Sequence, residues 1–293
     1  MSEGGALSDN LRGALLMAAA MAAFAVEDMF VKSLTRTMPV GQVLILFGLG
    51  GMAIFAAMAR RRGDPVFSPA LRSRALILRS AFEVGGRVFY TLAIALTPLS
   101  TASAILQATP LAVAAGAALV FHEKVGWRRW AAIAAGFAGV LLILRPGLGG
   151  FEAASLLAVL GTLGFAGRDL ATRAAPKTMS NAQLGVIGFA MLVVAGAPML
   201  AWTGGAVWPD PPGLAMLAGA VVAGVLAYGA LTGAMRVGEL SAVAPFRYTR
   251  LVFAMALGVL VFGERPDALT IIGSVIVVGS GLVTILRARR QRP

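Results

Sequence analysis

Arg79, Glu83 and Arg87 recur every four residues inside a stretch that is otherwise apolar. At that spacing the three side chains share one helix face, so Glu83 can pair with either arginine. The same stripe continues to Tyr90. An ionisable group at the centre of a bilayer costs about 2.5–3.5 kcal/mol on insertion scales, so it needs a partner, a wet cavity or a task. If the helix starts near Arg74, Glu83 lies about 14 Å along it and Arg87 about 20 Å, at 1.5 Å per residue. Two readings stand for Glu83 and Arg87: a structural ion pair facing the bundle, and the lining of a central cavity. Arg79 is shallow enough to snorkel to the nearer headgroups.

Arg247 and Arg250 follow Pro245 within another apolar stretch. A proline leaves an upstream carbonyl unpaired and can open or kink the helix there. A guanidinium beside such a break can hold a carboxylate by two parallel hydrogen bonds. The competing reading is an arginine capped by the freed carbonyls or by Glu83. Asp28 and Asp169 each have a basic residue four positions on, Lys32 and Arg173. These read as matched end-of-helix ion pairs, with gating latches as the alternative. Glu27 and Arg168 precede the two aspartates and carry opposite charge. Gln107, Phe165, Tyr228 and Tyr248 lie in spans with polar residues or conspicuous glycines. An amino acid needs a cation for its carboxylate, an acceptor for its ammonium and a surface for its side chain. Arg250 or Arg87, Glu83 or Gln107, and Tyr90 with the other aromatic rings offer those three. Glu83 is the carboxylate first expected to couple protons.

Other chemistries find little support. The chain has no cysteine and a single histidine, His122, so neither a metal site nor a cysteine nucleophile is expected. No phosphate-cradling glycine loop is present, so ATP does not drive the protein directly, and no cofactor is expected. An intramembrane enzyme would need a nucleophile with its base. A channel would favour rings of like charge, whereas the embedded charges here are mixed in sign. Trp127, Trp130, Trp202 and Trp208 sit at helix ends, as interfacial anchors do.

The elements that must position these groups are apolar helices. Of 293 residues, 58% are hydrophobic and 13% charged, with a mean hydropathy of +0.84; soluble domains carry about 25% charged residues. Runs of about 20 apolar residues span a bilayer as helices. They are expected at roughly 11–34, 40–59, 74–97, 99–121, 127–145, 152–174, 181–202, 213–236, 240–262 and 267–286. Met1–Asn10 shows no cleavage pattern, so the first span is expected to stay as an anchor. With the N-terminus inside, sixteen basic residues fall in inner segments and four in outer ones, and five lie within spans. That bias places both termini in the cytoplasm. The net charge of +12 is thereby assigned to loops rather than to nucleic acid.

Shifted so that Phe24 falls on Phe165, the chain matches itself. Ala25 and Asp28 then fall on Ala166 and Asp169, and Leu119-Val120-Phe121 with Glu123 falls on Leu260-Val261-Phe262 with Glu264. Five helices per copy is an odd number, so the second copy must be inverted. The expected fold is an all-α polytopic membrane protein of ten transmembrane helices in two inverted five-helix repeats, 1–147 and 148–293. Transporters of this kind hold substrate between the repeats, and a monomer would suffice.

The run Ala93, Thr97-Pro98, Ala102-Ser103, Gln107 and Pro110, followed by Phe121, Glu123, Trp130, Gly136 and Gly139, resembles the signature of the drug/metabolite transporter superfamily, EamA branch. A second copy runs from Leu240-Ser241 and Pro245 through Phe262-Gly263-Glu264 to Gly273. The resemblance implies movement of small metabolites across a bacterial inner membrane, often amino-acid export. Within the family the chain looks most like the aromatic amino-acid exporters. The second copy departs at Arg247-Tyr248-Thr249-Arg250, where the first has Leu106-Gln107-Ala108-Thr109. The pocket is therefore expected to be this chain's own.

Overall fold

The computed structural model describes residues 3–65, 73–122, 126–145, 152–173, 179–237 and 243–290. Helices dominate: α1 Glu3–Leu34, α2 Val40–Arg61, α3 Arg74–Leu96, α4 Leu99–Leu106, α5 Thr109–Val120, α6 Trp127–Leu144, α7 Ser155–Arg173, α8 Asn181–Thr203 and α9 Pro211–Val237. A 3-10 turn at Ala244–Tyr248 leads into α10 Thr249–Phe262, and α11 is Ala268–Arg290. Among the described residues six helical stretches are long and apolar enough to cross a membrane: Asp9–Leu34, Val40–Arg61, Leu99–Val120, Asn181–Thr203, Pro211–Met235 and Ala244–Phe262. α3 and α7 have 23 and 19 residues, but their internal charges lower their apolarity.

The chain's punctuation explains most boundaries. Ser73 caps α3 by accepting from Leu76 N at 3.3 Å, as N-cap hydroxyls do. Ser180 and Gln183 form a reciprocal capping box at the start of α8. Pro98 ends α3, because it cannot continue the helical ladder. α10 stops at Gly263, whose φ of 66° is left-handed and suits glycine. The expected break at Gly238-Glu239 and the boundary at 147/148 lie outside the described residues.

One expected span differs. The stretch 99–121 is two helices, tightened at Gln107 and Ala108, where Ala108 N bonds Ile105 O and Leu111 N bonds Ala108 O. Pro110 has no N–H to offer Leu106 O; the Thr109 hydroxyl fills that place at 2.6 Å. The 3-10 turn before α10 ends at Tyr248, the repeat equivalent of Gln107. Near Pro245 the chain forms a tight 3-10 turn, and the upstream carbonyl expected to be freed there lies outside the described residues.

Each long helix finds its main partner in the other half of the chain: α1 packs on α9, α2 on α8, α3 on α7 and α6 on α11. All four pairs are antiparallel. On α2, Gly41 meets Gly196, Gly48 meets Phe189, and Phe55 meets Gly185. On α7, Gly161, Gly164 and Gly167 meet Tyr90, Gly86 and Phe82 of α3. Glycines there bring helix backbones within reach of each other. Exchanging repeat-equivalent elements converts α1–α9 into α7–α3 and returns α2–α8 and α6–α11 to themselves. Gln42 and Gln183 follow the same exchange, holding the loops at Val207 and at Pro65 respectively.

Candidate functional site

The antiparallel packing of α3 on α7 and of α1 on α9 carries the charged residues of both halves to one place. Glu83 is buried and lies among three guanidinium groups: Arg168 at 3.2 Å, Arg79 at 3.7 Å and Arg87 at 3.9 Å. Arg168 also holds Asp169 at 2.8 Å, and Asp169 reaches Arg247 of the 3-10 turn at 4.0 Å. On the other side Arg87 donates to Glu27 at 3.0 Å. Beside Glu27, Asp28 accepts from Arg250 at 2.6 Å and from the Tyr90 hydroxyl at 3.1 Å. Tyr90 also lies 3.3 Å from the Ser103 hydroxyl. Four carboxylates and five guanidinium groups thus form one chain of contacts across the middle of the bundle. Pairing of this kind is what allows charge at that depth.

The cluster is not sealed. Side-chain exposure is 20% for Arg87, 22% for Arg168 and 26% for Asp169, and 35% for Arg247. Glu27 and Asp28 are 2% exposed. The acids of α1 are therefore the sealed end of the cluster, and its partly exposed groups lie on α3, α7 and the 3-10 turn. Phe165 supports two of those groups, with Arg168 4.9 Å and Arg87 5.9 Å from its ring centre and Tyr90 edge-on at 6.0 Å. Such cation–π contacts are worth about 0.5–2 kcal/mol and hold the guanidinium planes in place. Gln107, at the tightened joint, donates to Arg247 O at 3.3 Å. Rings, guanidinium groups and carboxylates at one accessible cluster can bind a zwitterion by both its charges and its side chain.

Several expected roles are corrected here. Asp28 does not pair with Lys32: it is buried under Arg250 and Tyr90, because the partner helix offers a closer cation. Lys32 instead donates to Ile94 O at 2.8 Å and Thr97 O at 2.5 Å and lies 3.8 Å from Glu264. The Arg173 side chain lies outside the described residues, and Asp169 takes Arg168 and Arg247 as partners. Arg79 does not snorkel; it is buried and its Nε bonds the Thr172 hydroxyl at 3.1 Å. Tyr228 packs edge-on against Phe55 at 5.4 Å, within electrostatic reach of Arg79, Glu83 and Arg168. Tyr248 packs onto Gly281 of α11, outside the ion-pair chain. Gly229 meets nothing within 4 Å, unlike Gly224, which lies against Phe47 and Glu27. No metal cluster occurs among the described residues.

The family match covers residues 11–145 and again 153–286, and it is to the EamA-like transporter family. The chain belongs to that family. Among relatives of the EamA-like chain, the S-adenosylmethionine uptake transporter of Rickettsia prowazekii is 25% identical over 73% of this chain and 72% of its own length. The riboflavin transporter of Vibrio cholerae is 31% identical over 67% and 65%. The pseudopaline exporter of Pseudomonas aeruginosa is 26% identical over 91% and 93%. A solved crystal structure superposes with a TM-score of 0.63 at 20% identity, covering 98% of this chain and 99% of that one, which shows a shared fold. None of these three named relatives is named for an aromatic amino acid, and their names include both uptake and export. The protein is thus an EamA-like transporter of small metabolites.

Sequence reasoning missed one further part of this EamA-like chain. Glu264 accepts from Leu99 N at 2.6 Å, Ser100 N at 2.9 Å and the Ser100 hydroxyl at 2.7 Å, so it caps α4 from the other half of the molecule. Close by, Arg145 at the end of α6 pairs with Asp267 before α11. That hydrogen bond and a second from Thr270 N hold the Asp267 carboxyl down at about 2. A cavity of about 190 Å³ lies between these ties. The sequence signal was the repeat of Phe-x-Glu at Glu123 and Glu264, whose partner could not be read from spacing.

Proposed function

We propose that this EamA-like protein is a secondary transporter that carries small zwitterionic metabolites, amino acids foremost, through a cavity between two inverted five-helix repeats. The observation that carries this reading is the cluster shared by both halves, where partly exposed Arg87, Arg168 and Arg247 stand beside acids. A carboxylate would bind one of these guanidinium groups by parallel hydrogen bonds. Its ammonium would take an acid such as Asp169, and Phe165 and Tyr90 would receive the side chain. The inverted arrangement is supported by two pairs of repeat-equivalent helices, α2 with α8 and α6 with α11, that pack antiparallel. Alternating access then follows from rocking one half on the other. The basic-residue bias favours cytoplasmic termini in a bacterial inner membrane.

The relatives' names favour a second reading: cargo larger than a single amino acid, such as S-adenosylmethionine, riboflavin or pseudopaline. Counterflow in proteoliposomes separates the two. Vesicles preloaded with phenylalanine, tryptophan or another neutral amino acid should exchange label well above protein-free vesicles. Exchange confined to S-adenosylmethionine or riboflavin establishes the second reading. No exchange with any amino acid, nucleoside, S-adenosylmethionine, riboflavin or cationic drug refutes the cargo class.

A further inference from the structure

Glu27, with Asp28, is the most deeply buried acid of the cluster, its side chain 2% exposed, and its two oxygens are treated differently. Oε1 accepts from Arg87 at 3.0 Å. Oε2 is buried and has no hydrogen-bond partner. The pseudo-symmetry of the fold explains the difference. Arg168, the repeat equivalent of Glu27, faces Glu83 on the partnering helix at 3.2 Å. Glu27 faces the repeat equivalent of Glu83, and that residue is Gly224. A Cβ on Gly224 would stand 3.3 Å from Oε2. The charge pair on one side of the bundle therefore has a carboxylate and a bare glycine on the other.

The surrounding charges do not fill the gap. Arg87 of α3, Arg250 of α10 and the neighbouring Asp28 act on Glu27. Arg250 is bonded to Asp28, and Arg247 of the turn packed against α1 is paired with Asp169. Glu83, by contrast, has three guanidinium groups around it. A buried carboxylate oxygen that accepts nothing is costly, and a proton added there removes the charge. Arg87, the group bonded to Glu27, is 20% exposed, and its Nε has no hydrogen-bond acceptor.

We propose that Glu27, not Glu83, is the proton-binding site of this transporter, with Arg87 as the group that exchanges between Glu27 and the cargo. The proton comes from water in the cavity and adds to the Glu27 carboxylate. The Arg87–Glu27 ion pair gives way, and the freed guanidinium takes the cargo carboxylate. On the opposite side the cargo leaves, Arg87 returns, and the proton passes to water. No covalent bond other than O–H changes, and one proton accompanies each carboxylate. This rests on the carrier reading above.

The test needs no cargo. Infrared difference spectra of the full chain in liposomes, acidic minus neutral, should show a buried protonated-carboxyl band. The band should be lost in Glu27→Gln and kept in Glu83→Gln. In Arg87→Gln it should already be present at neutral pH, because removal of the cation favours the neutral acid. If Glu27→Gln does not fold, Glu27→Asp keeps an acid and must shift the band. A band unchanged in the Glu27 variants, or lost in Glu83→Gln, overturns the proposal. Counterflow without the Glu27 band refutes the proton site alone, whereas the band without counterflow refutes the carrier reading alone.

Discussion

Arg250 shows what a single residue does in this protein. Its guanidinium lies 2.6 Å from Asp28 and stacks 5.0 Å from the Phe24 ring centre. Asp28 is left with only the Tyr90 hydroxyl if Arg250 is removed. Breaking one partner out of a buried pair costs about 3–5 kcal/mol, because the survivor stays charged and dry. Arg250→Gln is therefore expected to destabilise by that amount, read as thermal unfolding in detergent. Adding Asp28→Asn to the same chain should recover most of the loss, because the carboxylate that needed the cation is gone. Equal destabilisation of the single and double variants would show that the pair is not what Arg250 contributes. For Arg250 the sequence offered a cargo carboxylate, freed carbonyls or Glu83 as partner, and it put Asp28 with Lys32. Spacing along one helix reveals only the neighbours on that helix, and the nearest cation came from a residue 222 positions away.

At the scale of elements, close helix contact is concentrated where glycine meets glycine. A Cβ on Gly164 would come 2.5 Å from Gly86 Cα, so α3 and α7 touch backbone to backbone there. Gly164→Val must push the helices apart and is expected to cost at least about 1–3 kcal/mol, the usual range for overpacking. It should also weaken counterflow, since Glu83 and Arg168 face each other across this same contact. A Cβ on Gly229 of α9 would meet nothing within 4 Å, so Gly229→Ala should instead stabilise by about 0.4–1 kcal/mol through the unfolded chain. Thermal unfolding of the two variants side by side checks both signs. The helix positions were legible in the sequence because prolines, serines and glycines mark helix ends locally. The tightened joint at Gln107 was not foreseen, because Leu99–Val120 reads as one apolar run. Only the bonding of Thr109 to Leu106 O reveals the joint.

At the scale of the molecule, α2 with α8 and α6 with α11 are repeat-equivalent helices packed antiparallel. Under the proposed inverted repeat, a copy that runs against its original is turned over, and both termini are expected on one face of the membrane. The chain has no cysteine, so a cysteine introduced near residue 5 and another near residue 290 can be labelled singly with an impermeant maleimide in intact cells. Both should stay unlabelled until the cells are opened. Labelling of one but not the other in intact cells would rule out an even number of crossings.

What the sequence determined by itself was the class of protein, the duplication and the residues that carry charge inside the bilayer. These follow from local rules: apolar length, helix punctuation, and a constant offset between the two copies. The tertiary structure decided which charges meet. Glu27 faces Gly224 while Arg168 faces Glu83, and Glu264 caps a helix 165 residues away. The physical reason is that each half buries its polar stripe against the other half. Apart from the i, i+4 contacts of Glu83 with Arg79 and Arg87, the partners are chosen by helix packing, which spacing along one helix does not encode.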